Sequence, residues 1–290
     1  MSMKTLVLQS DFGLDDGAVS AMHGVAKQVN QALEVSHITH NIPQYDIWTA
    51  SYRLIQTVEY WPAGTVFVSV VDPGVGSHRR SIVVKTTTNH YVVTPDNGTL
   101  SHLLNIGIIE SAREINEEVN RLPHSRESHT FHGRDIYAFN GARLASGEIE
   151  YDHLGNDIPV NSLEQIDITS PTTTDTSITG NIDIFDIRFG SIWTNISIDE
   201  FKTLSIAPGE LVYVTIRHRN KLVYQNAIPF MRSFSGVEIG EPLLYINSLT
   251  NIGVAVNQGS FSALYNIGFG PDWHIKIKKI DNEKYYDLID

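Results

Sequence analysis

The chain has 290 residues, 41% hydrophobic, with 21 basic against 33 acidic side chains, a net charge of −12 and no cysteine. That length buries a large core and suits two domains better than one. The acidity disfavours a nucleic-acid partner, which would need basic patches that release counterions, and the missing thiols exclude disulfides and thiolate metal sites. No apolar run is long enough for a membrane span, and the start, MSMKTLVLQSDFG, reads as a first strand and not as a secretion signal. A cytoplasmic protein with a cationic or zwitterionic small ligand fits this balance.

Lys4–Leu8 is the first predicted strand, and it runs into Gln9-Ser10-Asp11-Phe12-Gly13. Asp15 or Asp16 then caps a helix that begins at Ala18 and runs to Val29. Capping accounts for one carboxylate, whereas three within six positions repel one another unless a ligand or donor shares the site. Glu34–Thr39 is a short strand. Asp46 caps a helix through Glu59, with Ile47, Ala50, Leu54 and Val58 on one face. Tyr45, on the loop before it, is a candidate for the same crevice.

Val66–Lys85 organises the first half. Two β-branched runs (Val66–Val71 and Ile82–Val84) enclose Asp72-Pro73-Gly74-Val75-Gly76-Ser77-His78-Arg79-Arg80. Short apolar runs bounded by turn residues read as buried strands, and ligands of open α/β sheets bind at the carboxyl ends of strands, where Asp72 stands. Alternation along a strand sends Arg79 and Arg80 to opposite faces. Tyr91–Thr94 is another strand, followed by the turn residues Asp96-Asn97-Gly98, with Asn97 a candidate pocket residue. After Ala112–Ile115 comes a polar stretch, 116–128, with few apolar anchors. Phe131-His132-Gly133-Arg134-Asp135 opens a helix through Leu144. His124, His129 and His132 do not share a helical face, so no metal site is expected.

Alternating strands and helices to about residue 145 predict an α/β domain with a largely parallel sheet, assigned to residues 1–168. A Thr/Ser/Pro/Asp-rich linker, 169–177, follows. Residues 178–290 carry strand-like runs at Gly180–Phe185, Leu211–His218, Leu222–Pro229, Pro242–Asn247, Gly253–Val256 and Ile275–Ile280, which predict an all-β domain, a small barrel or sandwich. There, Phe189 beside glycine and polar residues offers a stacking surface for a purine.

Together, S-DFGLDDG at Ser10–Gly17, VVDPGVGSHRR at Val70–Arg80, PDNGTLS at Pro95–Ser101, FHGRD at Phe131–Asp135 and FG-S-I-W-TNI at Phe189–Ile196 resemble the S-adenosyl-L-methionine hydroxide adenosyltransferase family, relatives of the fluorinase and chlorinase. The resemblance implies cleavage of S-adenosyl-L-methionine by water into adenosine and methionine, without cofactor or metal. It implies catalytic roles for Asp72, Arg79 and His132, places at which the halogenating relatives differ. It also implies a homotrimer, with each site between one subunit's N-terminal domain and a neighbour's C-terminal domain. By the same mapping, Asp11 holds the ribose hydroxyls and Tyr45 lies beside ribose and adenine. Asp186 meets the methionine amino group, with Asp16 nearby. Phe131, Gly133, Phe189, Phe234 and Ser248 belong to the ligand's surroundings, and the Asn257–Gln258 backbone reads the adenine edge. Ser191 stands where relatives have asparagine, and Leu249-Thr250 replaces a basic or glycine-rich turn. The alternatives are a 5′-halide transferase on the same scaffold and a non-catalytic adenosine or S-adenosyl-L-methionine binder.

Overall fold

The computed structural model describes residues 4–280, which fall into two compact units that meet in sequence between Ile166 and Asp167. The first unit is built on a seven-stranded sheet. In chain order the strands are β1 Leu6–Ser10, β2 Val35–His37, β3 Val66–Val70, β4 Ser81–Thr86, β5 Tyr91–Pro95, β6 Ile109–Ile115 and β7 Gly155–Ile158, and their order in space is β2-β1-β3-β5-β4-β6-β7. β2, β1, β3 and β5 pair in parallel, whereas β4, β6 and β7 join by antiparallel ladders, so five of the seven strands run the same way.

β1 and β3 are buried along their whole length, as expected for strands covered on both faces. The period of two divides their side chains. Leu6, Leu8, Val66, Val68 and Val70 face one core with Met22, Ala26, Ile136, Tyr137 and Ala142. Val7 and Phe67 face the other, with Ile82, Val84, Leu54, Val58 and Leu103. The first core is closed by helix α1, Ala18–Val29, and by a π-helical turn at Gly133–Ala138 that continues as α4, Phe139–Ser146. A Cβ at Gly141 would stand 2.4 Å from Val68 Cγ2, so glycine there lets α4 lie close on β3. The second core is closed by α2, Ile47–Thr57, and α3, Ser101–Asn105. Asp46 caps α2 by accepting the Thr49 N–H at 2.9 Å, and Asp16 accepts the Ala18 N–H at 2.8 Å at the start of α1.

The second unit is an antiparallel sheet of β8 Thr172–Thr173, β9 Ser177–Asp186, β10 Ser191–Ser197, β11 Leu211–His218, β12 Lys221–Pro229, β13 Pro242–Ile246, β14 Asn251–Val256 and β15 Trp273–Lys279. The path runs β12-β11-β15-β9-β10-β14-β13, with β8 paired to β9. Its two ends approach each other at a bridge between Phe230 and Leu244, where Met231 N–H donates to Leu244 C=O at 2.8 Å, giving a nearly closed barrel. Inward residues such as Ile182, Ile192, Val214, Ile228, Val254 and Ile277 fill it. Two short helices complete the unit, α5 Ile198–Lys202, held by a Ser197/Glu200 capping box, and α6 Phe261–Tyr265.

Three local outcomes differ from the sequence expectation. The 169–177 segment is not unpaired chain: Thr172 and Thr173 pair with Thr179 and Ile178, and Thr169 donates its hydroxyl to Asn181 Oδ1 at 2.7 Å. Ser191–Ser197 is a strand in the middle of the sheet, although its polar Ser191, Thr194 and Asn195 mask the alternation. The helix expected from Phe131 opens with a π turn at Gly133–Ala138, whose side chains are nearly all buried.

Candidate functional site

Asp11 follows β1 and Asp72 comes two residues after β3, so both lie at the carboxyl ends of parallel neighbours. A pocket of about 320 Å³ opens beside them, lined by Asp11, Phe12, Asp16, Tyr45, Asp72 and Val75, and closed by Phe131, His132 and Gly133. Asp11 Oδ2 accepts the Tyr45 N–H at 2.9 Å and holds that residue in the left-handed region at φ 67°. The Tyr45 side chain is 68% exposed. Phe12 and Phe131 meet edge to face at 5.7 Å. A Cβ at Gly133 would lie 3.0 Å from the Phe12 ring and 3.3 Å from Phe131, so glycine there lets the backbone beside His132 pack tightly on this aromatic pair.

Arg79 arrives just before β4 and turns back to Asp72. Its Nε lies 3.0 and 3.1 Å from the two carboxylate oxygens, and Nη2 also bonds Oδ2. The same Nη2 is 2.9 Å from His132 Nδ1. Burial opposes the Arg79 charge, but the Asp72 hydrogen bonds, followed by the fields of Tyr137, Asp72 and Glu117, outweigh it and raise its pKa. His132 is lowered, first by burial; the Glu117 carboxylate works against this, and the Arg79 and Arg121 guanidinium groups add to it. The ring is therefore neutral at pH 7. Arg80 takes the other direction, as strand alternation predicts. Its Nε donates to Asp96 at 2.8 Å and its Nη1 to Ser162 Oγ at 3.2 Å, away from the pocket residues.

Four further residues complete this cluster, none of which stood out in the sequence. Ser81 Oγ accepts from Arg79 Nη1 at 2.9 Å, donates to Glu117 Oε1 at 2.6 Å and lies 3.0 Å from the Tyr137 hydroxyl. Arg121 Nη2 is 3.1 Å from both Glu117 Oε2 and His132 Nε2. Tyr137 is wholly buried, which pushes its pKa well above the usual phenol value. The signal for Glu117 and Arg121 was only their charge within an anchorless polar stretch.

Asn97 is not among the pocket residues. Its Nδ2 donates to Val71 C=O at 2.8 Å and its Oδ1 accepts from the Thr99 hydroxyl at 2.7 Å, so it braces the backbone just before Asp72.

The second unit has its own groove, about 880 Å³, around the β9–β10 turn. Asp186 ends β9, Ser191 begins β10, and Phe189 stands between them, 69% exposed. Phe234 lines the groove against Tyr245, ring centroids 4.9 Å apart. Ser248, Asn257 and Gln258 line it as well. Ser191 is buried and bonds the Tyr245 phenol, which also accepts from Trp193 Nε1 at 2.9 Å. Asn257 uses its N–H on Glu241 C=O and its C=O on Gly240 N–H, and the turn goes on through Gln258, at φ 56°, which lines the groove beside it. Asn247 Oδ1 accepts from Leu249 and Asn251 N–H and shapes the turn that carries Ser248 and Leu249-Thr250. Among the described residues no group of three or more His, Asp or Glu side chains suits a metal ion, and no helix is long and apolar enough to cross a membrane.

Comparison with known proteins agrees across both units. The chain is 31% identical over 268 residues to the (R)-S-adenosyl-L-methionine hydrolase of Methanocaldococcus jannaschii, spanning 91% of this chain and 92% of that protein. It is 23% identical over 295 residues to the fluorinase of Actinopolyspora mzabensis, spanning 93% and 96%. The crystal structure of a conserved protein from Thermotoga maritima superposes with a TM-score of 0.85 at 31% identity, covering 95% of this chain and all of the other. Residues 6–155 match the SAM hydroxide adenosyltransferase N-terminal domain and residues 180–274 match its C-terminal domain. The chain belongs to the SAM hydroxide adenosyltransferase family.

Proposed function

We propose that this protein hydrolyses S-adenosyl-L-methionine to adenosine and L-methionine by in-line attack of water at the ribose 5′-carbon. The observation that carries this reading is the Asp72–Arg79–His132 cluster, whose Asp72 and His132 line the first pocket, in a chain whose relatives at 30% identity and above bear the hydrolase name. The sulfonium leaves as a neutral thioether, so the leaving group needs no proton. The difficulty lies in the nucleophile, since unbound water has a pKa of roughly 15.7.

The cluster is suited to that task. Asp72 fixes the plane of the Arg79 guanidinium through three hydrogen bonds. Asp72 and His132 line the pocket and Arg79 ties them together from behind, an arrangement suited to orienting water and stabilising developing hydroxide. Joining an incipient anion to a sulfonium cation reduces charge in the transition state, so a dry site accelerates the step. Asp11 is held ready for the ribose hydroxyls by its bond to Tyr45. In the second unit, Asp186 suits the methionine ammonium group, Phe189 and Phe234 suit the adenine faces, and Gln258 suits its edge. Ser191, tied to Tyr245, offers the purine less than an asparagine amide would. The chain is read as a homotrimer in which the pocket of one subunit is completed by the groove of a neighbour. The exposed Tyr45 and Phe189 rings support that reading, and light scattering of the purified protein tests it.

A 5′-halide transferase is the second reading, favoured by the fluorinase relative. Two guanidinium groups and two carboxylates crowd the His132 side of the pocket, a setting built to organise water and protons, which disfavours it. The deciding experiment is incubation with S-adenosyl-L-methionine in ¹⁸O-labelled water without halide. Label in the adenosine 5′-hydroxyl establishes hydrolysis at that carbon. Product formed only with added halide supports the transferase, and binding without turnover supports a binder.

A further inference from the structure

His132 is shared by two cavities. One face closes the pocket of Asp11, Tyr45 and Asp72. The other borders a second cavity, about 580 Å³, lined also by Gly76, Ser77, Glu117, Arg121 and His129. Hydrolysis takes up one water and gives off one proton per turnover, and that proton has to leave a pocket from which the substrate displaces bulk solvent.

The groups on the substrate side are poor final acceptors. Both Asp72 oxygens already receive Arg79 N–H groups. A guanidinium keeps its protons at any working pH. A neutral imidazole has one lone pair, yet guanidinium nitrogens stand 2.9 Å from Nδ1 and 3.1 Å from Nε2 of His132. A protonated His132 would direct N–H groups at two cations, so it passes a proton on more readily than it keeps one.

Glu117 is the group positioned to take it. Its Oε1 is 4.0 Å from His132 Nδ1, a gap that one water bridges, and 3.8 Å from Arg79 Nη1. Both its oxygens also accept, Oε1 from the Ser81 hydroxyl at 2.6 Å and Oε2 from Arg121, so what sets it apart from Asp72 is its access to solvent. Its side chain is 30% exposed, whereas those of Arg79, Arg121 and His132 are 9%, 7% and 4% exposed. Glu117 is thus the member of the cluster in touch with solvent. The other charged groups around that cavity are Glu118, Arg126 and His129, and Arg126 Nη2 donates to the Glu118 carbonyl at 2.9 Å. Tyr137, behind Ser81, stays protonated and supplies no base.

We propose that Glu117 is the outlet for the proton released at the attacking water, a relay residue behind His132, and that the second cavity is the solvent side of the site. This rests on the hydrolase reading. As the C5′–O bond forms, the C5′–S bond breaks with its electron pair passing to sulfur. The water proton passes through the His132 ring to Glu117 and then to bulk water, leaving His132 neutral.

The test is steady-state kinetics of adenosine formation from pH 5 to 9 with the intact protein and its Glu117→Gln and Glu117→Asp variants, with and without added formate. Glu117→Gln is expected to lower kcat about 100-fold with KM nearly unchanged, in the range of one lost acid–base group. Glu117→Asp retains most of the activity. Formate restores about tenfold to Glu117→Gln and nothing to the wild type, since a free carboxylate replaces only a proton acceptor. A Glu117→Gln variant with the wild-type kcat and pH profile overturns the relay. So does a loss that neither aspartate nor formate repairs, because Glu117 would then only prop Arg121. If the wild type forms no adenosine, the hydrolase reading and the relay both fall. Wild-type turnover with an indifferent Glu117→Gln removes the relay alone.

Discussion

In the first unit Asp72, Arg79, Ser81, Glu117, Arg121 and His132 are joined by a closed set of hydrogen bonds, and most are nearly inaccessible. In the second, Phe189 and Phe234 stand 69% and 41% exposed around a wider groove. The contrast separates two tasks. Groups that stabilise developing charge act best when already fixed, because no reorganisation is then needed during the reaction. Groups that grip a purine act through area, and an open aromatic surface supplies that on contact. On the proposed function, single atoms of the first unit are expected to decide rate, and those of the second to tune affinity.

The largest effect should follow from cutting the fixed network. Arg79→Ala removes five hydrogen bonds at once and is expected to lower kcat about 1,000-fold, ~4 kcal/mol of barrier, measured by adenosine release. A variant with wild-type kcat would break the contrast at its centre. The neighbouring arginine sharpens it. Arg80→Ala leaves Asp96, whose side chain is 3% exposed, without its cation. It is expected to destabilise the fold by about 2–3 kcal/mol in denaturant titration while activity per folded molecule is kept.

The units also differ in how acid acts on them. Burial lowers His102, in the first unit, to about 4 and raises Asp183, in the second, to about 8. Between about pH 4 and 6.5 the unfolded first unit binds more protons than the folded one, so its stability rises with pH across that window. Between about pH 4 and 8 the folded second unit binds more, so its stability falls as pH rises. Calorimetry from pH 4.5 to 8 should resolve opposite trends. His102→Gln is expected to lessen the first slope by up to about 3 kcal/mol across that window, His40, also lowered to about 4, keeping the rest, and Asp183→Asn the second by up to about 5 kcal/mol, given about 1.4 kcal/mol per pKa unit. Parallel trends would count against the assignment of these groups. The smallest change is Phe189→Ala, expected to raise KM by about fivefold, ~1 kcal/mol of contact, with kcat and thermal stability nearly unaltered.

Much of the first unit was readable because its signals are local. Val66–Val70 is apolar at every position and bounded by turn residues, so strand and burial follow directly, and Asp72 is placed by coming just after it. The alternating inward positions of β11 and β12 are equally direct. The sides of the site that were not readable depend on distant partners. Arg121 meets His132 across 11 residues and Glu117 meets Ser81 across 36, from a stretch whose polar sequence has no period of its own. Asn97 misled for the opposite reason. Its Asp-Asn-Gly turn was legible, but that its amide would go to Val71 depends on backbone 26 residues earlier, just past β3. β10 was hidden because its polar residues bond laterally within the sheet, as Thr194 Oγ1 does to Ile252 C=O.

The π turn at Gly133–Ala138 holds one residue more than a regular helix would need. Each residue turns an α-helix by about 100°. Deleting one residue from this turn would give a helix with better internal bonding, and would swing His132 out of line with both Arg79 and Arg121. Along this segment, then, the most regular backbone and the working one differ by a single peptide unit. The extra residue is what lets one segment keep Ile136 and Tyr137 in the core and His132 between two guanidinium groups at once.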